Sequence, residues 1–378
     1  MKNNKKIKIV IGINDFCIGG AQTLLLKQFK YFNRDKFEFY LISLFELKNK
    51  TSLHDLIPNY VKVVRFDFKN FFDFKSWSSL LKKIKSIRPD LVLSNLFFSN
   101  TVFRIIAIIL KIKAIIVEHN TYINKIKLHQ CIDKFLSYFT YKIIAVSDEV
   151  ADFTSKQEKI SKNKFVTIFN GIDLEEIKKF KEINQENILQ FREELGFNMD
   201  DKIIINVARL THQKRIDLLI DAFYELSKKD RSYKLIILGE GVLKNQLAQK
   251  INGLGLENRV FLLGVKKNIY KYYMLSNVFV STSEIEGFSI AFLEALSFGL
   301  PIISTKTSGS KKMIENHYNG YLIDNGEENV VNSIVNILKN NYNKINLMGS
   351  NSLEICKKFD IKVNVVKYEE LFIESLKV

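Results

Sequence analysis

Residues 283–301, SEIEGFSIAFLEALSFGLP, hold the chain's most informative set of reactive side chains. The apolar run Val278-Phe279-Val280 gives way to small polar residues, passes Gly287 and turns helical from Ser289 to Phe298, with Gly299 and Pro301 as a stop. Strand, tight turn and helix are therefore expected, with one carboxylate in the turn (Glu286) and one on the helix (Glu294). A helix start offers unpaired backbone N–H groups and a positive dipole end, which suit a phosphate or a sugar hydroxyl. Gly287 lets a ligand come close to the backbone. The same pattern also occurs as plain α/β connection, so the residues around it must discriminate.

Other candidates lie at the ends of apolar runs, where α/β proteins place their ligand contacts. After Ile203–Val207 come Ala208-Arg209-Leu210-Thr211-His212-Gln213-Lys214, two cations on one loop. After Ala114–Val117 come Glu118-His119-Asn120. After Ile7–Ile13, the pair Gly19-Gly20 opens a helix expected over Gln22–Phe32. That spacing is not G-x-G-x-x-G, so it does not point to a nicotinamide cofactor. Taken singly, a loop Arg and Lys are ordinarily surface charges, and a lone His is ordinarily structural.

Their order changes the weighing. Glu286-Gly287-Phe288-Ser289, then Glu294-Ala295, then Gly299-x-Pro301, resembles the E-x7-E signature of the retaining nucleotide-sugar glycosyltransferases, family 4. Arg209 and Lys214 match that family's R-x4-K pair. Gly239-Glu240-Gly241 is similar to its G-[DE]-G turn. Asn170-Gly171-Ile172-Asp173 and Asn319-Gly320-Tyr321-Leu322-Ile323 are similar to two further family segments. Arg215 and Lys312 depart from it, standing where the family commonly has glycine and glutamate.

The resemblance implies an α/β protein of the GT-B fold, two Rossmann-like domains with parallel sheets and crossover helices, facing across a cleft. It assigns residues 1–182 to an acceptor-binding domain, joined by a C-terminal helix over 361–378, and 183–360 to a nucleotide-sugar-binding domain. It also implies roles. Glu286 would meet the donor sugar's hydroxyls, Glu294 the ribose, and His119 the sugar and reaction centre. Arg209 and Lys214, with backbone near Phe288 and Ser289, would steady the leaving diphosphate. Gly19 and Gly20 would lie against donor phosphate and acceptor. Gly239, Gly264 and Gly287 would shape the nucleotide site. Departing diphosphate carries extra charge, which a metal or fixed cations must neutralise. The chain has no D-x-D, so the Arg/Lys pair implies no metal site and no cofactor.

The elements that must position these groups follow from the bulk pattern. A chain of 378 residues suits two domains, and 47% hydrophobic with 26% charged residues is the composition of a folded protein. Short β-rich runs alternate with helical stretches throughout, the pattern of parallel sheets. A Lys- and Glu-rich helical segment over 174–195 reads as the linker. Cys17, Cys131 and Cys356 show no metal or redox spacing and read as buried or half-buried thiols. The N-terminal apolar run leads into glycines and reads as a first strand, not a signal peptide.

Charge is uneven. Residues 1–180 hold 31 Lys+Arg against 17 Asp+Glu, whereas the remainder holds 26 against 24. The surplus points to an anionic partner: the inner leaflet of the cytoplasmic membrane through the basic N-terminal domain, or a lipid-linked glycan acceptor. A solvated basic face without a partner remains the plain alternative. No basic helix, zinc-ligand set or RNA-binding aromatic motif accompanies the charge, so nucleic acid is not expected. The apolar region 102–117 is broken by Arg104, Lys111 and Lys113 and cannot span a bilayer. It reads as a helix packed on the sheet or as one with an interfacial face. Phe68–Trp77 reads as a membrane-dipping segment, an acceptor groove or a loop folded on the core. The expected protein is a cytoplasmic, peripheral-membrane enzyme moving a hexose or N-acetylhexosamine from a UDP-linked nucleotide sugar. The alternatives are a sugar-nucleotide 2-epimerase and an inactive GT-B partner subunit.

Overall fold

The computed structural model describes residues 6–47, 51–122 and 125–377; the charged lead of the sequence, residues 1–5, lies outside them. The chain divides into two compact units, Met1–Gly171 with Ile361–Val378, and Ile172–Asp360.

The first unit alternates β1 (Ile7–Ile13), α1 (Gly20–Tyr31), β2 (Phe37–Ser43), β3 (Lys62–Arg65), α2 (Phe74–Ile87), β4 (Leu91–Asn95) and α3 (Phe97–Leu110). It continues through β5 (Lys113–Glu118), α4 (Lys127–Ser137), β6 (Lys142–Ala145), α5 (Asp148–Glu158) and β7 (Phe165–Thr167). The strands form one parallel sheet in the order β3-β2-β1-β4-β5-β6-β7. Central strands covered on both faces explain the unbroken Ile, Val and Leu runs. Register pairs Ile13 with Asn95 and Asn95 with Val117, so the carboxyl ends of β1, β4 and β5 lie side by side. Gly12 is a strand glycine because a Cβ there would overlap the ring of Phe103 from α3.

The second unit contains α6 (Leu174–Asn184), α7 (Asn187–Glu194), β8 (Lys202–Val207), α8 (Ile216–Lys229), β9 (Tyr233–Leu238), α9 (Lys244–Gly253), β10 (Val260–Gly264) and α10 (Tyr270–Leu275). After these come β11 (Val278–Ser281), α11 (Ile290–Ser297), β12 (Ile302–Thr305), α12 (Ser308–Met313), β13 (Gly320–Ile323), α13 (Glu327–Leu347) and α14 (Gly349–Lys357). Its parallel sheet runs β10-β9-β8-β11-β12-β13. Ile204, Leu235, Ile237 and Val280 of the sheet pack with Leu219 and Phe223 of α8 and Ile334 and Leu338 of α13.

The last helix, α15 (Ile361–Lys377), belongs to the first unit. Gln28 Nε2 donates to Asn364 Oδ1 at 2.7 Å, the Asn33 amide donates to Glu369 Oε1 at 2.6 Å, and the Phe37 and Phe372 rings sit 5.8 Å apart. A Cβ on Gly171 would come 2.7 Å from Ile361 Cα, which accounts for the glycine of the Asn170-Gly171 turn.

Three expectations change, and one strand was not anticipated. The helical segment over 174–195 is two helices, and both pack on α10, with Phe180 5.3 Å from Tyr270 and Phe191 5.1 Å from Tyr272. That packing moves the division from 182/183 to 171/172. The segment Gly320–Ile323 is a strand, β13, at the sheet edge. Arg104 does not belong to an interfacial face of α3: it is 2% exposed and paired with Asp133. Cys131 is exposed, whereas Cys17 and Cys356 are buried. Of the Phe68–Trp77 segment, Phe68 is buried while Phe72 and Phe74 face solvent. Among the described residues no helix is long and apolar enough to cross a membrane.

Candidate functional site

In the second unit the loops after β8, β11 and β12 are tied to one another through backbone atoms. Thr282 Oγ1 donates to the carbonyls of Lys214 and Arg215 at 3.0 and 2.8 Å. The Glu284 amide donates to the Gln213 carbonyl at 2.9 Å, and Gln213 Nε2 donates to Ile285 O at 2.8 Å. These bonds hold the 3-10 turn His212–Lys214 against the Glu286 turn, and the Lys214 ammonium lies on the Glu286 carboxylate. The two side chains are only 11% and 17% exposed, so the pair sits in a low-dielectric setting. The Glu286 carbonyl accepts from the Gly309 amide at 3.0 Å, and a Cβ on Gly309 would stand 2.7 Å from the Gly287 carbonyl oxygen. Thr307 and Ser310 close a capping box at the start of α12, fixing that neighbour.

Helix α11 starts one residue after the expected position, with Ser289 as its N-cap. Phe288 is buried, its ring 5.2 Å from Phe359. On the helix, Glu294 is buried and accepts from the Tyr273 hydroxyl at 3.1 Å. Tyr273 is stacked on Phe298, the ring centroids 5.8 Å apart, and burial pushes its phenol well above the usual range, so it stays a donor. Sequence reasoning missed Tyr273. It lies in the run Tyr270-Lys271-Tyr272-Tyr273, 21 residues from its partner, with no local pattern to mark it.

Arg209 is exposed and has no ion-pair partner among the described residues. Its loop is nevertheless fixed: the Leu210 amide donates to Glu240 O at 2.9 Å, and the Leu243 amide donates to Leu210 O at 3.1 Å. Gly239 adopts φ 140°, and a Cβ there would overlap the Ala208 carbonyl. Gly264 adopts φ 72°, its carbonyl accepts from the Gly239 amide at 3.0 Å, and a Cβ would come 2.9 Å from Glu240 Oε1. Both glycines are steric requirements of this interlaced turn. Arg215 has φ 48°, in the left-handed region, which is the physical reason a glycine suits that position. Lys214 and Glu286 are thus in contact, Arg209, Gly239 and Gly264 lie on adjoining loops, and Glu294 is engaged separately by Tyr273.

The remaining candidates belong to the first unit. Gly19 caps α1 in extended backbone and Gly20 opens it. Asn14, in the loop before them, accepts from the Ser99 amide at 2.8 Å and so joins the end of β1 to the start of α3. His119 follows β5, with Nε2 3.0 Å from Asn95 Oδ1 at the end of β4. This hydrogen bond ties the ring's orientation to the end of β4. Burial pushes the imidazole down to about 4, so His119 is neutral at pH 7.

Behind His119 lies a buried ionic network that no sequence pattern announced. Arg104 pairs with Asp133, and Lys125 bridges Asp133, at 2.5 Å, and Glu158. Asn100 Nδ2 reaches Glu118 Oε1 at 3.4 Å. Two cations are balanced by Asp133 and Glu158, leaving Glu118 as a surplus carboxylate. Burial raises it to about 7, opposed by the Lys125 charge.

Comparison with known proteins agrees with both halves of this architecture. The model for glycosyl transferases group 1 matches residues 187–354, and that for glycosyltransferase family 4 matches residues 18–176. The chain belongs to the family 4 glycosyltransferases of the GT-B fold. An uncharacterized glycosyltransferase of Methanocaldococcus jannaschii is 33% identical over 264 residues, 65% of this chain and 64% of that protein, so the match spans a little under two thirds of its length. The UDP-Gal:alpha-D-GlcNAc-diphosphoundecaprenol alpha-1,3-galactosyltransferase of Escherichia coli is 25% identical over 376 residues, 95% of each chain. The solved structure of Anabaena HepE in complex with UDP and glucose superposes with a TM-score of 0.82 at 22% identity, covering 97% of this chain and 100% of that one, a likeness of fold.

Proposed function

We propose that this protein transfers a hexose or N-acetylhexosamine from a UDP-linked sugar to a lipid-linked glycan acceptor, with retention at the anomeric carbon and without a metal ion. The observation that carries the proposal is the Lys214–Glu286 contact at the carboxyl edge of the second sheet, with Glu294 eight residues after Glu286. Breaking the bond from sugar to diphosphate leaves added negative charge on the nucleotide. A cation held by fixed backbone needs little rearrangement to meet that charge, the condition under which electrostatic stabilisation is largest. Lys214 is held in this way, and Arg209 on the neighbouring loop is an exposed second cation. Glu286 would accept from donor hydroxyls while sharing the Lys214 ammonium, and Glu294, oriented by Tyr273, would take the ribose. Neutral His119 would bond to the sugar without adding charge. The full-length similarity to a galactosyltransferase named for a UDP donor and a diphospholipid acceptor supports this substrate class. With such an acceptor, the work would be done at the cytoplasmic face of the membrane, in surface-glycan assembly.

The test is nucleotide release from UDP-, GDP- and ADP-sugars in the presence of EDTA, with membrane extract as acceptor and Glu286→Ala as control. Release from one donor, unchanged by EDTA and lost in the variant, is the expected result. Dependence on added metal would overturn the metal-free reading, and an epimerised sugar nucleotide without free UDP would replace transfer by epimerisation. Failure to bind any nucleotide would overturn the enzyme reading.

A further inference from the structure

Helix α4 is oriented against the usual rule. A surface helix ordinarily turns its apolar stripe to the core and its charges to water. In α4 the buried positions are Asp133, Leu136 and Ser137. Leu128, Ile132, Phe135, Tyr138 and Phe139 are exposed, Leu128 by 64% and Phe135 by 60%. At about 100° per residue, positions 128, 132 and 135 share one face, and Cys131 extends it on the side where Lys127 and Lys134 follow; past the helix end, the Phe139 ring lies 5.5 Å from Phe135. The ionic network supplies the reason for this orientation. Asp133 is drawn inward by Arg104 and Lys125, and this pins the polar side of the helix inside and turns the apolar side out.

The charge beside the stripe is uncompensated. Past the end of α4, Lys113, Lys142 and Lys164 line a shallow pocket of about 500 Å³ together with Tyr138 and Phe139. Their ammonium groups donate to the carbonyls of Ser375, Asn163 and Thr140 at 2.7, 2.8 and 2.8 Å. Among the described residues none of these three, nor Lys127 or Lys134, has a carboxylate at ion-pair distance. Burial and the neighbouring Lys142 charge both lower the Lys164 amine, as expected where positive charge accumulates.

We propose that the apolar face of α4 and the lysine pocket at its end form a docking surface for an anionic lipid bilayer. The stripe would lie in the boundary between headgroups and acyl chains, with the lysines on lipid phosphates. Charge complementarity selects this occupant: a second copy seated by two-fold symmetry would bring the same lysines against themselves. The inference rests on the lipid-linked acceptor reading for its role in the reaction.

Cys131 is an exposed thiol within the stripe, while Cys17 and Cys356 are buried, so it can carry an environment-sensitive fluorophore in the full chain. The labelled protein is titrated with phosphatidylcholine vesicles, with and without about 30% phosphatidylglycerol. The expected result is a blue shift on anionic vesicles only, with partitioning about tenfold weaker in the exposed-site variant Leu128→Ser/Phe135→Ser. A thermal melt confirms that this variant is folded. No shift, an equal shift on neutral vesicles, or undiminished binding by the folded variant would overturn the proposal. A lipid-free shift that grows with protein concentration would overturn it in favour of self-association. Nucleotide release with detergent-solubilised acceptor is read in parallel. Release without vesicle binding sinks the docking surface alone, and vesicle binding without release sinks the transferase reading alone.

Discussion

The two units share one parallel-sheet architecture but keep their charged groups in different places. In the second, Lys214 and Glu286 meet on loops at the sheet edge, and those loops are joined by backbone hydrogen bonds and close glycine contacts. In the first, Arg104, Lys125, Asp133, Glu158 and Glu118 are buried beneath α4, and the sheet edge carries neutral groups, Asn95 and His119. The lesson is one of stiffness. Backbone contacts tolerate little substitution and so leave a signature in sequence. A buried network tolerates any arrangement that balances charge and satisfies each group, so it leaves none.

Substitutions in both units probe this contrast, and the buried network is expected to show the largest effect. Asp133→Asn removes the carboxylate charge that contacts both Arg104 and Lys125, and should cost about 3–5 kcal/mol in urea unfolding. A cost below about 1 kcal/mol would show that the network does not hold α4 in place. In the second unit, Glu286→Gln should reduce nucleotide release by about 100- to 1,000-fold, mostly in kcat. A pure rise in KM would mean that Glu286 only binds the donor. Gly239→Ala forces a side chain into the Ala208 carbonyl at a positive φ, and should destabilise by about 2–3 kcal/mol.

A pH series separates the units further. The Glu118 carboxyl titrates near 7 in the folded chain, above its ordinary 4.5, so its contribution to stability is largest below 4.5 and is lost as pH rises through 7. Glu118→Gln should therefore gain on the wild type between pH 5 and 8, by an amount on the order of 2 kcal/mol. A flat difference across that range would remove the surplus-carboxylate account. His119 works in the opposite sense: its contribution is present above 6.5 and is lost as pH falls toward 4. The smallest effect is expected for Gly19→Ala, where the backbone is extended and a Cβ meets only the flexible Gln22 side chain. Thermal melts should detect less than about 0.5 kcal/mol.

Much of the fold was legible because parallel strands buried on both faces must be apolar runs, and β1, β8 and β11 were read directly from such runs. The strand β13 was not, because Gly320-Tyr321-Leu322-Ile323 is short and begins with glycine. The linker reading of the helical segment over 174–195 failed for a different reason. Composition shows helical propensity but not the packing of Phe180 and Phe191 on α10 that assigns both pieces to the second unit. In the site, Glu286, Glu294, Arg209 and Lys214 could be selected from their order along the chain. Tyr273 could not, since its role depends on a hydroxyl reaching a carboxylate on another helix.

By itself the sequence determined the α/β class, the alternation of strands and helices, and the loops where cations, carboxylates and obligatory glycines fall. Those properties depend on local periodicity and on backbone conformations that few residues can adopt. Only the tertiary structure decided that Lys214 rests on Glu286, that Arg104 is turned inward, and that α4 shows its apolar side to solvent. Each of these depends on which distant charge supplies a partner in a low-dielectric interior, and no local pattern encodes that choice.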